Sequence, residues 1–289
     1  MSIFNPPRPA QTQPTSHDAA VDRMLGVRRI RRPGRWAAAL LPAPLLLLVF
    51  LLIWQAYASS PSVDQQLLPT PLAVWAVLIS QRDVLWANTL VTLYETAVGF
   101  GAALVVGLAF GALIDASSWL RRALYPLLVA SQTIPIITLA PLLVLWFGFG
   151  LVSKSIVVLL VCFFPIAVAF ADGLRGADPE LIKLFRSFGA KRLRIFWSVR
   201  VPGALPALFS GIRIAVTYSV IGAIFSEYVG AEAGLGFYMQ LKQHSFAPAA
   251  VLAAIVVTAL LSIALFALTA LVERLALPWY YAQGREAGV

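Results

Sequence analysis

The sequence predicts an all-α membrane protein with six transmembrane helices, and three observations carry that prediction. Of 289 residues, 60% are hydrophobic and 12% charged, whereas soluble domains hold about 25% charged and about 45–50% apolar residues. A surplus this large exceeds what a core can absorb, so lipid is its natural solvent. The apolar residues also gather into six stretches near the length of about 20 residues that crosses a hydrocarbon layer of roughly 30 Å. Finally, the basic residues fall on alternating connections, as membrane topology requires.

Residues 1–35 read as a cytoplasmic N-terminal segment, rich in Pro, Gln, Ser and Thr over the first 22 residues and arginine-rich after them. Disorder is expected there because little apolar surface is available to bury. The first span is Trp36–Ala58. It ends in Ala56-Tyr57-Ala58, which resembles a signal-peptidase site, yet the apolar run outlasts the about 7–15 residues of a signal core. Residues 59–276 then form the core, with five further spans at Leu90–Ile114, Leu124–Phe147, Ser155–Ala171, Gly211–Tyr228 and Ala249–Leu271. Before the second span, Leu67-Leu68-Pro69-Thr70-Pro71 leads into a short surface helix over Leu72–Ile79, its proline suited to a first turn. Residues 277–289 are a cytoplasmic tail.

Eighteen of the 22 basic residues lie before the first span, in the second-to-third and fourth-to-fifth connections, or in the tail. The alternate connections hold Arg82, Lys154 and Lys242, and Arg213 lies near the inner end of the fifth span, where it can snorkel. Both termini are therefore expected in the cytoplasm, and the net charge of +9 reads as topology rather than nucleic-acid binding.

In the second span, Gly99, Ala103, Gly107 and Gly111 repeat every four residues and put small side chains on one face. Such a strip lets helices approach closely in lipid; general glycine enrichment of membrane helices is the alternative. Pro126, Pro135, Pro141 and Pro165 interrupt spans three and four, which requires protein or a wet cavity to satisfy the freed carbonyls. Polar residues inside spans are costly and face a pathway or a neighbouring helix. The pathway candidates are Gln132, Thr133, Tyr218, Ser219 and Glu227; Glu95 is expected in the outer interface.

Other chemistries are excluded. Gly148–Ser155 approaches a phosphate-binding loop, but Ser153 stands where the second glycine is needed, and the segment falls on the outer side. The single Cys162, in an apolar run, rules out an intrachain disulfide or a cysteine metal cluster. His17 and His244 are the only histidines, and neither a catalytic nor a metal-binding pattern is present, so no enzymatic centre or cofactor is expected.

The connection 172–210 is the longest and most charged. Asp178 can cap a helix beginning at Pro179, and Glu180 suits its positive end. Leu181, Leu184, Phe185 and Phe188 share one face, Gly189 can end the helix, and Leu193, Ile195, Phe196 and Val199 form a second apolar set. Such a hairpin either rests on the membrane surface or docks a cytoplasmic partner.

Gly189-Ala190, Val201-Pro202-Gly203-Ala204-Leu205-Pro206 and Ser210-Gly211-Ile212-Arg213 resemble the cytoplasmic EAA loop of permease subunits of ATP-binding-cassette importers, and this decides for docking. The sequence departs from that pattern where Lys183-Leu184-Phe185 replace Glu-Ala-Ala and Val201 replaces Leu. Leu68-Pro69-Thr70-Pro71, Thr133-Ile134-Pro135, Leu145-Trp146-Phe147-Gly148 and Gly234-Leu235-Gly236 resemble the nitrate/sulfonate/taurine branch, and Thr217–Ala223 through Glu227 is most similar to permeases for the hydroxymethylpyrimidine precursor of thiamine or for riboflavin. The resemblance implies a type I importer transmembrane domain in a bacterial inner membrane. It implies a second permease copy, two cytoplasmic ATP-binding subunits that carry ATP and Mg, and an extracytoplasmic substrate-binding protein. Glu180, Lys183, Phe185, Arg186, Gly189 and Arg192 would then couple to the ATPase. A secondary transporter or channel, the alternative, would need inverted repeats and mid-membrane ion pairs, neither evident in the sequence.

Overall fold

The computed structural model describes residues 42–280, and the basic N-terminal segment, residues 36–41 of the first span and residues 281–289 of the tail lie outside them. The chain divides into two compact units, Met1–Ile53 and Trp54–Val289. The first contributes the apolar, exposed start of helix α1 (Pro42–Ala58).

The described residues are all-helical: α2 (Pro71–Ser80), α3 (Arg82–Ala116), α4 (Ser118–Ser131), α5 (Ile136–Phe147), α6 (Leu151–Arg175), α7 (Pro179–Ser187), α8 (Arg192–Ile195), a π turn (Phe196–Arg200), α9 (Val201–Gly230), α10 (Leu235–His244) and α11 (Pro248–Ala276). Four of these runs are long and apolar enough to cross a membrane: α3, α6, the continuous Arg192–Gly230 and α11. The expected surface helix is α2, where Thr70 accepts a hydrogen bond from the Ala73 N–H at 3.2 Å and Pro71 occupies the first turn.

Two expected spans take a different form. The third is broken into α4 and α5, because Pro135 has no N–H to donate and its ring drives the preceding residue out of helical conformation. The hydroxyls of Thr133 and Thr138 tie off the ends by donating to Ala130 O and Pro135 O, each at 2.7 Å. Pro126, Pro141 and Pro165, by contrast, remain inside helices. The fifth span reaches further back than Gly211, since α9 starts at Val201 and the π turn before it accommodates Pro202.

The core is a sandwich of α3, α6 and α9. Gly99, Ala103, Gly107 and Gly111 are all buried on the α6 side of α3. A Cβ on Gly107 would stand 2.8 Å from Ile166, whereas one on Gly101 would meet nothing within 4 Å. The strip is therefore an interface and not mere glycine enrichment. Val158, Cys162, Ile166 and Phe170 of α6 continue the packing to Ala204, Leu208, Ala215 and Ala223 of α9. At one end a second cluster joins Val74, Leu85, Tyr238, Met239 and Ala253 of α2, α3, α10 and α11.

Candidate functional site

The break between α4 and α5 faces a concavity. A cavity of about 660 Å³ is lined by Val129 and Gln132 of α4 and its cap, by Phe164, Pro165 and Val168 of α6, and by Ile214 and Tyr218 of α9. A second, of about 420 Å³, continues past Pro135, Leu139, Ile221 and Phe225 and shares Gln132, Val161 and Tyr218 with the first. Among the described residues, no charged side chain lines either one. Gln132 stands in this position because the helix ends there: its backbone N–H bonds to the last turn, leaving the amide side chain to the cavity. The walls can hold a molecule by apolar and aromatic contact and read it through one amide and one phenol.

The other candidates lie elsewhere. Thr133 is exposed at the break without lining either cavity. Ser219 is 1% exposed and donates to the Val216 carbonyl at 2.7 Å. Glu227 is wholly buried, accepting from the Thr92 hydroxyl at 2.6 Å and from the Gly236 N–H.

Glu95 was expected in an interface and Lys154 in a loop; both are buried instead. Lys154 sits in the first turn of α6 and contacts the Glu95 carboxylate of α3 at 2.5 Å. Further pairs each join two elements: Arg213 pairs with Glu273 of α11 at 3.0 Å, and Arg200 pairs with Asp115 of α3 at 2.7 Å. Asn88 and Thr92 went unnoticed in the sequence. The signal was there: Asn88, Thr92 and Glu95 share one face of an otherwise apolar helix.

At the far end, α7 is capped as its sequence dictates. Asp178 Oδ1 accepts from the Glu180 N–H at 2.8 Å, and Pro179 fills the first turn. Gly189 adopts φ +75° and closes the helix, with its N–H donating to Arg186 O and the Ala190 N–H to Phe185 O. No residue of α7 is buried. Leu181, Leu184 and Phe188 are exposed beside Glu180, Lys183 and Arg186; Phe185 is half-buried, and Arg192 and Leu193 of α8 are also exposed. Ile195 and Val199 anchor the segment that follows.

Residues 103–277 match the family model described as the binding-protein-dependent transport system inner membrane component. The chain is 42% identical, over 68% of its length and 80% of the relative's, to a probable ABC transporter permease protein of Haemophilus influenzae. It is 38% identical to a formylaminopyrimidine transport permease protein of Halalkalibacterium halodurans, over 81% of this chain and 94% of that one. It is 35% identical to a riboflavin transport system permease protein of Chloroflexus aurantiacus, over 87% and 94%. Among solved structures, the inward-facing MetNI methionine ABC transporter superposes with a TM-score of 0.59 at 21% identity, covering 69% of this chain and 97% of that one.

Proposed function

Given that the chain belongs to the binding-protein-dependent transport system inner membrane components and is the permease subunit of an ATP-binding-cassette importer, we propose that it carries an uncharged, flat heterocycle of the pyrimidine class through the cavities at the α4–α5 break. Subunits of this kind are not enzymes: ATP is hydrolysed on a separate ATP-binding subunit, and a substrate-binding protein delivers the cargo. Two copies of this chain and two ATPase subunits form the assembly in a bacterial inner membrane, with both termini and α7 on the cytoplasmic side.

The observation that carries the substrate reading is the absence of charge around Gln132 and Tyr218 among the described residues. A charged cargo such as a sulfonate, zwitterionic taurine or nitrate would lose its hydration there without a charged partner to replace it. Riboflavin, which is named for one relative, shares the flat, amide-rich chemistry and is the second reading. Within the cavity Gln132 bonds the cargo's polar edge and Tyr218 its ring. Thr133 flexes with the break, and Ser219 and Glu227 shape the path by holding α9.

Energy reaches the path through α7. Its exposed Leu184 and half-buried Phe185 enter a groove of the ATPase, with Glu180, Lys183, Arg186 and Arg192 on the rim and Gly189 fixing the hairpin's angle. ATP-driven closure then draws the two α7 helices together, and α6 with α9 rocks to expose the cavity on the other side.

Uptake into proteoliposomes, driven by the reconstituted assembly with its binding protein, tests this. Formylaminopyrimidine is expected to be taken up and taurine not, and Gln132→Ala should lower uptake by roughly tenfold, the loss of one hydrogen bond's worth of discrimination. Taurine uptake with pyrimidine ignored, or an unaffected Gln132→Ala, overturns the substrate reading.

A further inference from the structure

The turn between α9 and α10 is held in an unusual way. Three successive backbone N–H groups point at side chains of other segments: Gly234 donates to Asn88 Oδ1 at 2.8 Å, Leu235 to Thr92 Oγ1 at 2.9 Å, and Gly236 to Glu227 Oε2. The first turn of a helix leaves its N–H groups without partners inside the helix, and here Gly234 offers no side chain to cap them. The cap is supplied instead by α3 and by the carboxylate of α9. The Thr92 hydroxyl joins the two suppliers by donating to Glu227 Oε1 at 2.6 Å. The Tyr238 hydroxyl, donating to Gln81 Oε1 at 2.7 Å, fastens the next turn of α10 to the start of α3.

Space enforces the same arrangement. Gly234 takes φ +118°, and a Cβ built on it would run into the Glu227 carboxyl; one on Gly236 would strike Ile224 O and Glu227 Cβ. The carboxylate therefore lies flat against the turn with no room for slippage, and it is fully buried. With no water in reach to replace the carboxyl, a buried N–H that lost this acceptor would stand unsatisfied, so the contact holds the turn to α9.

We propose that Glu227 is a positioning residue for transport: its carboxylate clips α10 to the end of α9, so that the two helices move as one body when the cavity changes sides. The proposal rests on the permease reading above, in which α9 is the moving helix that carries Tyr218 in its middle and continues from the α7–α8 hairpin at its beginning. Without the clip, α9 would still respond to nucleotide while α10 stayed behind, and the extracytoplasmic side would no longer open and close in step.

Hydrogen-exchange mass spectrometry on the full permease–ATPase assembly in lipid nanodiscs tests it, nucleotide-free and trapped with ATP and vanadate. In the unmodified protein, peptides over residues 216–230 and 231–244 should change exchange together on trapping. In Glu227→Ala the amides of residues 234–236 should exchange about tenfold faster, as expected for loss of a buried hydrogen bond. The nucleotide response should then survive in 216–230 and vanish from 231–244. Glu227→Gln should restore both, because its amide oxygen still accepts from Gly236 and its NH2 can donate to the Thr92 hydroxyl. Thr92→Val, nearly equal in volume, keeps the test available if the alanine variant fails to assemble, and should give a smaller effect in the same direction. Protected 234–236 amides in Glu227→Ala or Thr92→Val, a paired nucleotide response there, or a glutamine variant as impaired as alanine would overturn the proposal. Failure of the coupling reading is distinguishable, since it would appear in the unmodified protein as a 216–230 peptide indifferent to nucleotide.

Discussion

Gly189 and Gly234 both adopt positive φ, at +75° and +118°, one ending α7 and the other beginning α10, yet their surroundings are opposite. A Cβ on Gly189 would meet nothing within 4 Å, whereas Gly234 is packed on the Glu227 carboxyl. The hairpin around Gly189 satisfies its own backbone through Asp178 and local carbonyls and presents its apolar side chains outward. The turn at Gly234 borrows every partner from other helices and presents nothing. On the proposed reading, one end of the bundle is gripped by another protein; the other is gripped by itself. The same backbone conformation therefore serves two purposes, told apart only by what lies within reach.

That contrast can be broken most severely at the buried end. Lys154→Met leaves the Glu95 carboxylate buried without its partner, and such a change costs about 3–5 kcal/mol. The permease should lose most of its folded, detergent-extractable population, read by size-exclusion fluorescence. Gly234→Ala should follow at on the order of 3 kcal/mol, combining a strained φ with displacement of Glu227, and should lower the thermal midpoint of the purified assembly. Gly189→Ala should cost only about 1–2 kcal/mol, the penalty of a left-handed non-glycine residue, with no steric addition. Its thermal midpoint should move little while binding-protein-stimulated ATP hydrolysis falls if, as proposed, the ATPase docks on the hairpin and reads its angle. Equal destabilisation by the two alanine substitutions would erase the distinction.

The sequence made the gripped end legible and hid the self-gripped one, for a physical reason. Caps, first-turn prolines and helix-ending glycines are local chemistry, so Thr70-Pro71, Asp178-Pro179 and Gly189 mark their own positions. The Gly99-to-Gly111 strip was equally readable, as a repeat along one helix, and its partner face on α6 was found opposite it. The Lys154–Glu95 pair joins residues 59 positions apart and the Thr92–Glu227 bond residues 135 apart, and spacing says nothing about such distances. Four prolines in spans three and four looked alike, yet only Pro135 separates two helices. Which proline breaks its helix depends on what can satisfy the freed carbonyls, and Thr133 and Thr138 do so there. The start of α9 lies ten residues before the expected Gly211, because the π turn lets the helix run through Pro202 and Pro206.

Cys162 gives the chain a practical property. It is the only cysteine in 289 residues, it is 0% exposed, and its thiol donates to the Ala215 carbonyl between α6 and α9. Buried thiols of this kind are poor nucleophiles, so alkylating reagents should pass it by. A cysteine introduced on α7 or α10 would then be the one thiol to take a spin label or fluorophore, on a background otherwise unaltered. If the assembly holds two copies, as proposed, distances between their labels could be followed through the ATP cycle in the native sequence, with no need to excise a residue from the packed heart of the bundle.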